Sequence, residues 1–286
     1  MNKTAAGMVS SFSIVLIVIS LLLCLTVDPA PIVWGQPKGN ADQQDAFKKG
    51  RSIMEEVERR AKSVAEHIQM NMIIRDPAGK ERERTLEVWN EYGRSGKRRN
   101  LMRFTSPQMV RNTSLLSLER ESGEEDDQWL YLPILRKSKR IAAAAKTSEF
   151  VGTDYTFEDL SAENIDDFKY EFQGEKKIDN HDCFVVRAMP LERRAKSSGY
   201  KERVIFIRKD VYTPVEIHHY DRDGKFFKKW VASDLANVKG NCWRANREEM
   251  VKVRENQCTI LVVKKRVTSD TLEDSIFTQR ELTKEY

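Results

Sequence analysis

The residues with the most evident chemical potential are the pair His218-His219, the run Asp221-Arg222-Asp223-Gly224, and the carboxylates Asp154, Glu158, Asp159, Asp166 and Asp167. Two histidines can chelate a metal, but neighbours on a strand point to opposite faces, so this pair cannot share one ion. No third ligand stands at a useful spacing, and the pair reads as one core-facing and one exposed side chain. A calcium loop of the EF-hand type needs glycine at its sixth position and glutamate at its twelfth. Counting from Asp221, Gly224 is fourth and Ala232 twelfth, so the run reads as a hairpin turn. Paired carboxylates can do acid–base work when they flank a cleft. Here a helix cap accounts for Asp159, and surface solvation for the others. Nucleophile-elbow, zinc-protease, P-loop and Rossmann glycine patterns are all absent. The expectation is a protein with no catalytic residue, no metal, no cofactor and no enzymatic activity.

Apolar side chains offer a different chemistry. Trp89, Tyr92, Met102, Phe104, Leu115, Leu118, Trp129, Leu130, Tyr131 and Leu132 are concentrated in successive segments, and such a set can line a concave pocket for a hydrophobic ligand. Each residue alone reads as core; it is the architecture that turns the set toward a cavity. The candidates for its lining are Trp89, Met102, Phe104, Leu115, Leu118, Trp129 and Tyr131.

The elements that must position them are mostly strands. From Gln43 to about Asn71 the apolar residues Ile53, Met54, Val57, Ala61, Val64 and Ile68 fall on a 3.6-residue period, which predicts an amphipathic helix. From Met72 onward, about eleven short segments rich in β-branched and aromatic residues follow one another with turn signals between them. Short connections without crossover helices imply antiparallel neighbours. The predicted class is mainly β with a few helices, one large curved or barrel-like antiparallel sheet covered by the N-terminal helix. Thr156 and Asp159 have the spacing of a capping box and predict one or two helical turns there. The Ala142–Ala145 run reads as a loop or strand end, and the basic clusters Lys137–Arg140 and Arg193–Lys196 as solvated loops.

The N-terminus runs Met1-Asn2-Lys3 and then an uncharged stretch whose apolar heart, Phe12 to Val27, is about 16 residues, shorter than the ~20 of a membrane-spanning helix. Val33 and Gly35 suit cleavage before Gln36. Residues 1–35 thus read as a secretory signal and residues 36–286 as a single exported domain. Cys24 follows Leu23 and sits inside the apolar stretch, so it reads as part of the signal and not as a lipid anchor. A net charge of +5, with both signs interspersed, gives no stripe for nucleic acid. Cys183, Cys242 and Cys258 match no metal spacing, and their odd number leaves at least one thiol outside any disulfide within the chain.

One region has a recognisable pattern. Trp129-Leu130-Tyr131-Leu132-Pro133, the basic Lys137-Ser138-Lys139-Arg140-Ile141, and Phe150-Val151-Gly152-Thr153-Asp154-Tyr155-Thr156-Phe157-Glu158-Asp159-Leu160 together resemble the signature of LolA-like outer-membrane lipoprotein-sorting proteins. Phe104-x-x-Pro107 and Ser275-Ile276-Phe277-Thr278-x-x-Glu281-Leu282 match in the same order. A glycine that the family tends to place after the Phe-x-x-Pro segment is Asn112 here. The resemblance implies an incomplete β-barrel closed by helices, whose apolar cavity receives acyl chains. It also implies a periplasmic location, a lipoprotein or lipid as cargo, and an RND-type inner-membrane transporter as a partner. Two roles follow from it: a carrier of acyl chains toward the outer membrane, or an accessory subunit of such a transporter.

Overall fold

Beyond residue 64 apolar side chains recur mostly at every second position, and the backbone pairs as strands accordingly. The computed structural model describes residues 40–286 apart from 122, 123 and 163; the expected signal, residues 1–35 with Cys24, lies outside them. Helix α1 (Asn40–Ala61) is followed by strands β1 (Ala65–Arg75), β2 (Glu81–Tyr92), β3 (Arg98–Ser106), β4 (Ser114–Leu118), β5 (Asp127–Leu132) and β6 (Lys137–Arg140). A long connection, residues 141–167, leads to β7 (Phe168–Ile178), β8 (His181–Pro190) and the short helix α2 (Glu192–Ser197). Then come β9 (Tyr200–Arg208), β10 (Thr213–Asp221), β11 (Phe226–Lys239), β12 (Cys242–Lys252), β13 (Gln257–Ser269) and a last short helix, α3 (Gln279–Leu282).

All thirteen strands form one sheet in the order β6-β5-β4-β3-β2-β1-β13-β12-β11-β10-β9-β8-β7. Neighbours in the sheet are neighbours in sequence except β1 and β13, which pair antiparallel in its middle. The edges β6 and β7 are not paired with each other, so the sheet stays open, an incomplete antiparallel barrel as the resemblance implies. It has thirteen strands where about eleven were expected.

The two extra strands have physical explanations. In β1 the buried residues Ile68, Met70, Met72 and Ile74 alternate, and Val64 with Ile68 satisfies a helical spacing equally well. Helix α1 therefore stops at Ala61, about ten residues before the predicted end, with no glycine or proline to mark it. Strand β6 is the basic Lys137–Arg140 cluster, which pairs with Trp129–Leu132 at one sheet edge. Lysines there are a usual protection for unpaired edges. The Arg193–Lys196 cluster, expected as a loop, lies within α2, and a 3-10 turn covers Ala143–Ala145.

The stripe on α1 packs as predicted: Ile53, Met54 and Val57 meet Phe168, Tyr170, Val186 and Ile205. Gly50 makes the approach possible, because a Cβ there would lie 2.7 Å from the Tyr170 carbonyl oxygen. The 141–167 connection turns inward, with Phe150, Tyr155 and Phe157 packed against Phe104, Leu115, Met250 and Leu261 from both halves of the sheet. Its capping box forms, since the Thr156 N–H donates to Asp159 Oδ2 at 2.7 Å and the Asp159 N–H to Thr156 Oγ1 at 3.2 Å. Asn112 has φ 65°, a left-handed conformation in which asparagine is the best substitute for glycine.

Candidate ligand-binding cavity

Between α1 and the concave face of the sheet lies a cavity of about 470 Å³, within the range of small-molecule sites. Met54, Val57 and Ala61 line it from α1, Ile68 and Met70 from β1, Val88 and Tyr92 from β2, and Met102 from β3. The other half of the sheet contributes Ile217, Trp230, Met250 and Leu261. Alternation puts these side chains on one face, and the curl of the sheet brings strands distant in order around a common space.

Two polar groupings frame the apolar wall. Where α1 ends, the Arg244 Nε–H donates to Glu66 Oε2 at 2.9 Å and its Nη2 to the Ala61 carbonyl at 2.9 Å, which ties the helix terminus to β12. Arg266 Nε faces the other Glu66 oxygen at 3.0 Å. Burial alone would push the Arg244 guanidinium down, but Glu66 beside it raises it instead. At the far wall Lys228 Nζ lies 2.6 Å from Asp159, which also accepts from the Tyr200 hydroxyl at 2.6 Å. Burial works to raise the Asp159 carboxyl, yet Lys228 and these hydrogen bonds hold it down at about 2. Beside it, burial and Lys228 push the His219 imidazole well below its ordinary value, so the ring is neutral. Burial likewise raises Tyr155 and Glu248, the latter accepting the Trp230 indole N–H at 3.2 Å.

The seven candidate residues fall on two faces. Met102 lines the cavity, and Phe104 and Leu115 belong to the apolar cluster that continues from its wall. Trp89, Leu118, Trp129 and Tyr131 face the other way, packing with Leu101, Leu116, Phe277 and Leu282 beneath the C-terminal segment. Trp89 stacks on His67 with ring centres 4.7 Å apart, and the Tyr131 hydroxyl donates to Glu285 at 2.6 Å. Strict alternation in Leu115-Leu116 and Trp129-Leu130 was the available signal, since adjacent residues cannot share a face. A large part of the wall comes from β1 and β10–β13, whose contribution depends on the curl.

The histidine pair does point to opposite faces, but both rings are buried, each only 3% exposed; His218 packs on Phe206 and Phe226, and His219 on Tyr200. The sheet is covered on both sides at this point. Nor are Asp154 and Glu158 solvated. Asp154 accepts from Thr259 Oγ1 at 2.6 Å and Gln257 at 2.7 Å, and Glu158 from Ser198 at 2.6 Å and the Gly199 N–H at 2.8 Å. They fasten the 141–167 connection to β13 and to the α2–β9 junction. Among the described residues no three His, Cys, Asp or Glu side chains are grouped to hold a metal ion.

An open antiparallel sheet curled around an apolar hollow, crossed by a helix, defines a LolA-like protein. The family model that matches, described as that of an uncharacterized protein, spans residues 96–284, and the chain belongs to this LolA-like family. Among solved structures it is similar to a domain assigned as an outer membrane lipoprotein-sorting protein from Vibrio parahaemolyticus. That pair shares 27% identity with a TM-score of 0.78 over 83% of this chain and 100% of the other. A DUF1329 family protein from Desulfovibrio piger shares 24% identity, with a TM-score of 0.77 over 83% of this chain and 99% of its own. A LolA superfamily protein from Nitrosomonas europaea has the same fold at 17% identity, TM-score 0.61, over 84% and 98%. No curated protein matches the sequence. Among the described residues no helix is long and apolar enough to cross a membrane.

Proposed function

We propose that this protein is a periplasmic carrier that takes acyl chains of a lipoprotein or lipid into the cavity for transfer toward the outer membrane. On this reading residues 1–35 direct export, residues 36–286 fold as one domain, and the protein binds its cargo without catalysis. The observation that carries the reading is the apolar wall around about 470 Å³, built from α1 and both halves of the sheet. Each methylene moved from water into such a space contributes about 0.8 kcal/mol, so an acyl chain supplies enough affinity without a specific polar contact. Helix α1 covers the cavity, packed on the β7 half of the sheet through Ile53, Met54 and Val57 and tied at its terminus by Arg244. An accessory role on an RND-type transporter would need a docking face and would leave this cavity without a use. The test is mass spectrometry of an organic extract of the protein purified from its own envelope. Lipid in amounts comparable to the protein is expected; preparations that are lipid-free and also take up no added lipid overturn the reading.

A further inference from the structure

The cavity has two unlike walls. Ile68, Met70, Val88, Met102 and Leu261 are apolar, whereas Tyr155 and His219 in the same lining have side chains that carry hydrogen-bonding atoms. Both side chains are more than nine-tenths buried, at 5% and 3% exposure. Both ring nitrogens of His219 have no hydrogen-bond partner among the described residues, and Tyr155 Oη has only the Trp230 indole beside it. Their neighbours are engaged elsewhere, with the Asp159 carboxylate on Lys228, Tyr200 and Thr156, and the Trp230 indole N–H on Glu248. Buried polar groups are nearly always paired, and a plain alkyl chain can pair neither of these.

We infer that the cavity selects an amphiphile bearing a hydroxyl group on its chain, and that Tyr155 and His219 hold that hydroxyl. A hydroxyl both donates and accepts, as do a phenol and a neutral imidazole, so each partner finds its complement. Asp159 and Lys228 at this wall already neutralise each other at 2.6 Å, so neither offers an open charge to a charged headgroup. The inference rests on the carrier reading and narrows its cargo: the apolar wall supplies affinity, and the polar pair supplies choice. A site built to hydrogen-bond a hydroxyl discriminates strongly against the analogue that lacks it.

The experiment is competition against a fluorescent acyl probe, using delipidated mature protein with stearic acid and its mono-hydroxylated isomers. At least one hydroxylated isomer is expected to bind about tenfold tighter than stearic acid. Tyr155→Phe and His219→Leu should each bring that ratio close to one. Equal binding of stearic acid and every isomer to the native protein overturns the inference and leaves the carrier reading standing. So does a preference that survives both substitutions. If the native protein binds neither the probe nor any of the acids, the carrier reading falls, and this inference with it.

Discussion

At the scale of single residues, the decisive feature is a buried ion pair at the cavity wall. Asp159 and Lys228 lie 2.6 Å apart, with side chains 5% and 1% exposed. Removing one charge leaves the other uncompensated, and Asp159→Asn is expected to cost about 3–5 kcal/mol in a urea titration. The double variant Asp159→Asn/Lys228→Met should lose less than the sum of the two single losses, because the pair acts as a unit. Since the Asp159 carboxyl is held down at about 2, its contribution is complete above the ordinary carboxylate range near 4 and disappears as pH falls toward 2. Asp126 has the opposite sign. Burial raises its carboxyl to about 6, so the folded state keeps a proton that the unfolded chain has already released, and stability falls between pH ~4 and 6. Asp126→Asn should therefore gain on the order of 1 kcal/mol near neutral pH and nothing below pH ~4, read from urea midpoints at the two values. The capping half of this site was legible, because Thr156 and Asp159 stand at a known spacing. Lys228 was not, since only folding brings it across the 69 residues that separate it from Asp159.

Among the elements, α1 and β1 set the limits of what periodicity can tell. The stripe of Ile53, Met54 and Val57 was readable because it repeats at 3.6 residues, and it packs on the β7 half of the sheet. Its end was not readable, since Val64 and Ile68 fit helix and strand alike, and the Ala61 carbonyl is taken by Arg244, 183 residues away. Gly50 tests the packing directly. Alanine favours a helix interior over glycine by about 1 kcal/mol. Even so, a Cβ at Gly50 would lie 2.7 Å from the Tyr170 carbonyl, so Gly50→Ala is expected to destabilise by about 1–3 kcal/mol instead. Urea midpoints decide between the two signs. Strand β6 escaped detection for a related reason: its four residues carry three cations and owe their conformation to pairing with β5, not to any apolar alternation.

For the molecule as a whole, the order of strands explains both the cavity and the place of the family signature. The chain runs outward from β1 to the edge at β6, crosses through residues 141–167, and returns inward from β7 to pair β13 with β1. The crossing segment holds the Phe150–Leu160 motif, whose aromatic residues close one end of the hollow. Fold class was therefore legible from strand number, short turns and the order of these motifs. The lining was legible only in part, because curl brings Met102 opposite Met250 and Leu261, and nothing local announces that meeting. The central claim, an acyl-binding cavity under α1, is tested most directly by titrating a fluorescent acyl probe into delipidated mature protein. Saturable binding is predicted, weakened by about tenfold or more in Met54→Glu or Met102→Glu and unchanged in Trp129→Gln on the outer face. A native protein that binds no probe, or binding that neither cavity substitution weakens, would contradict it.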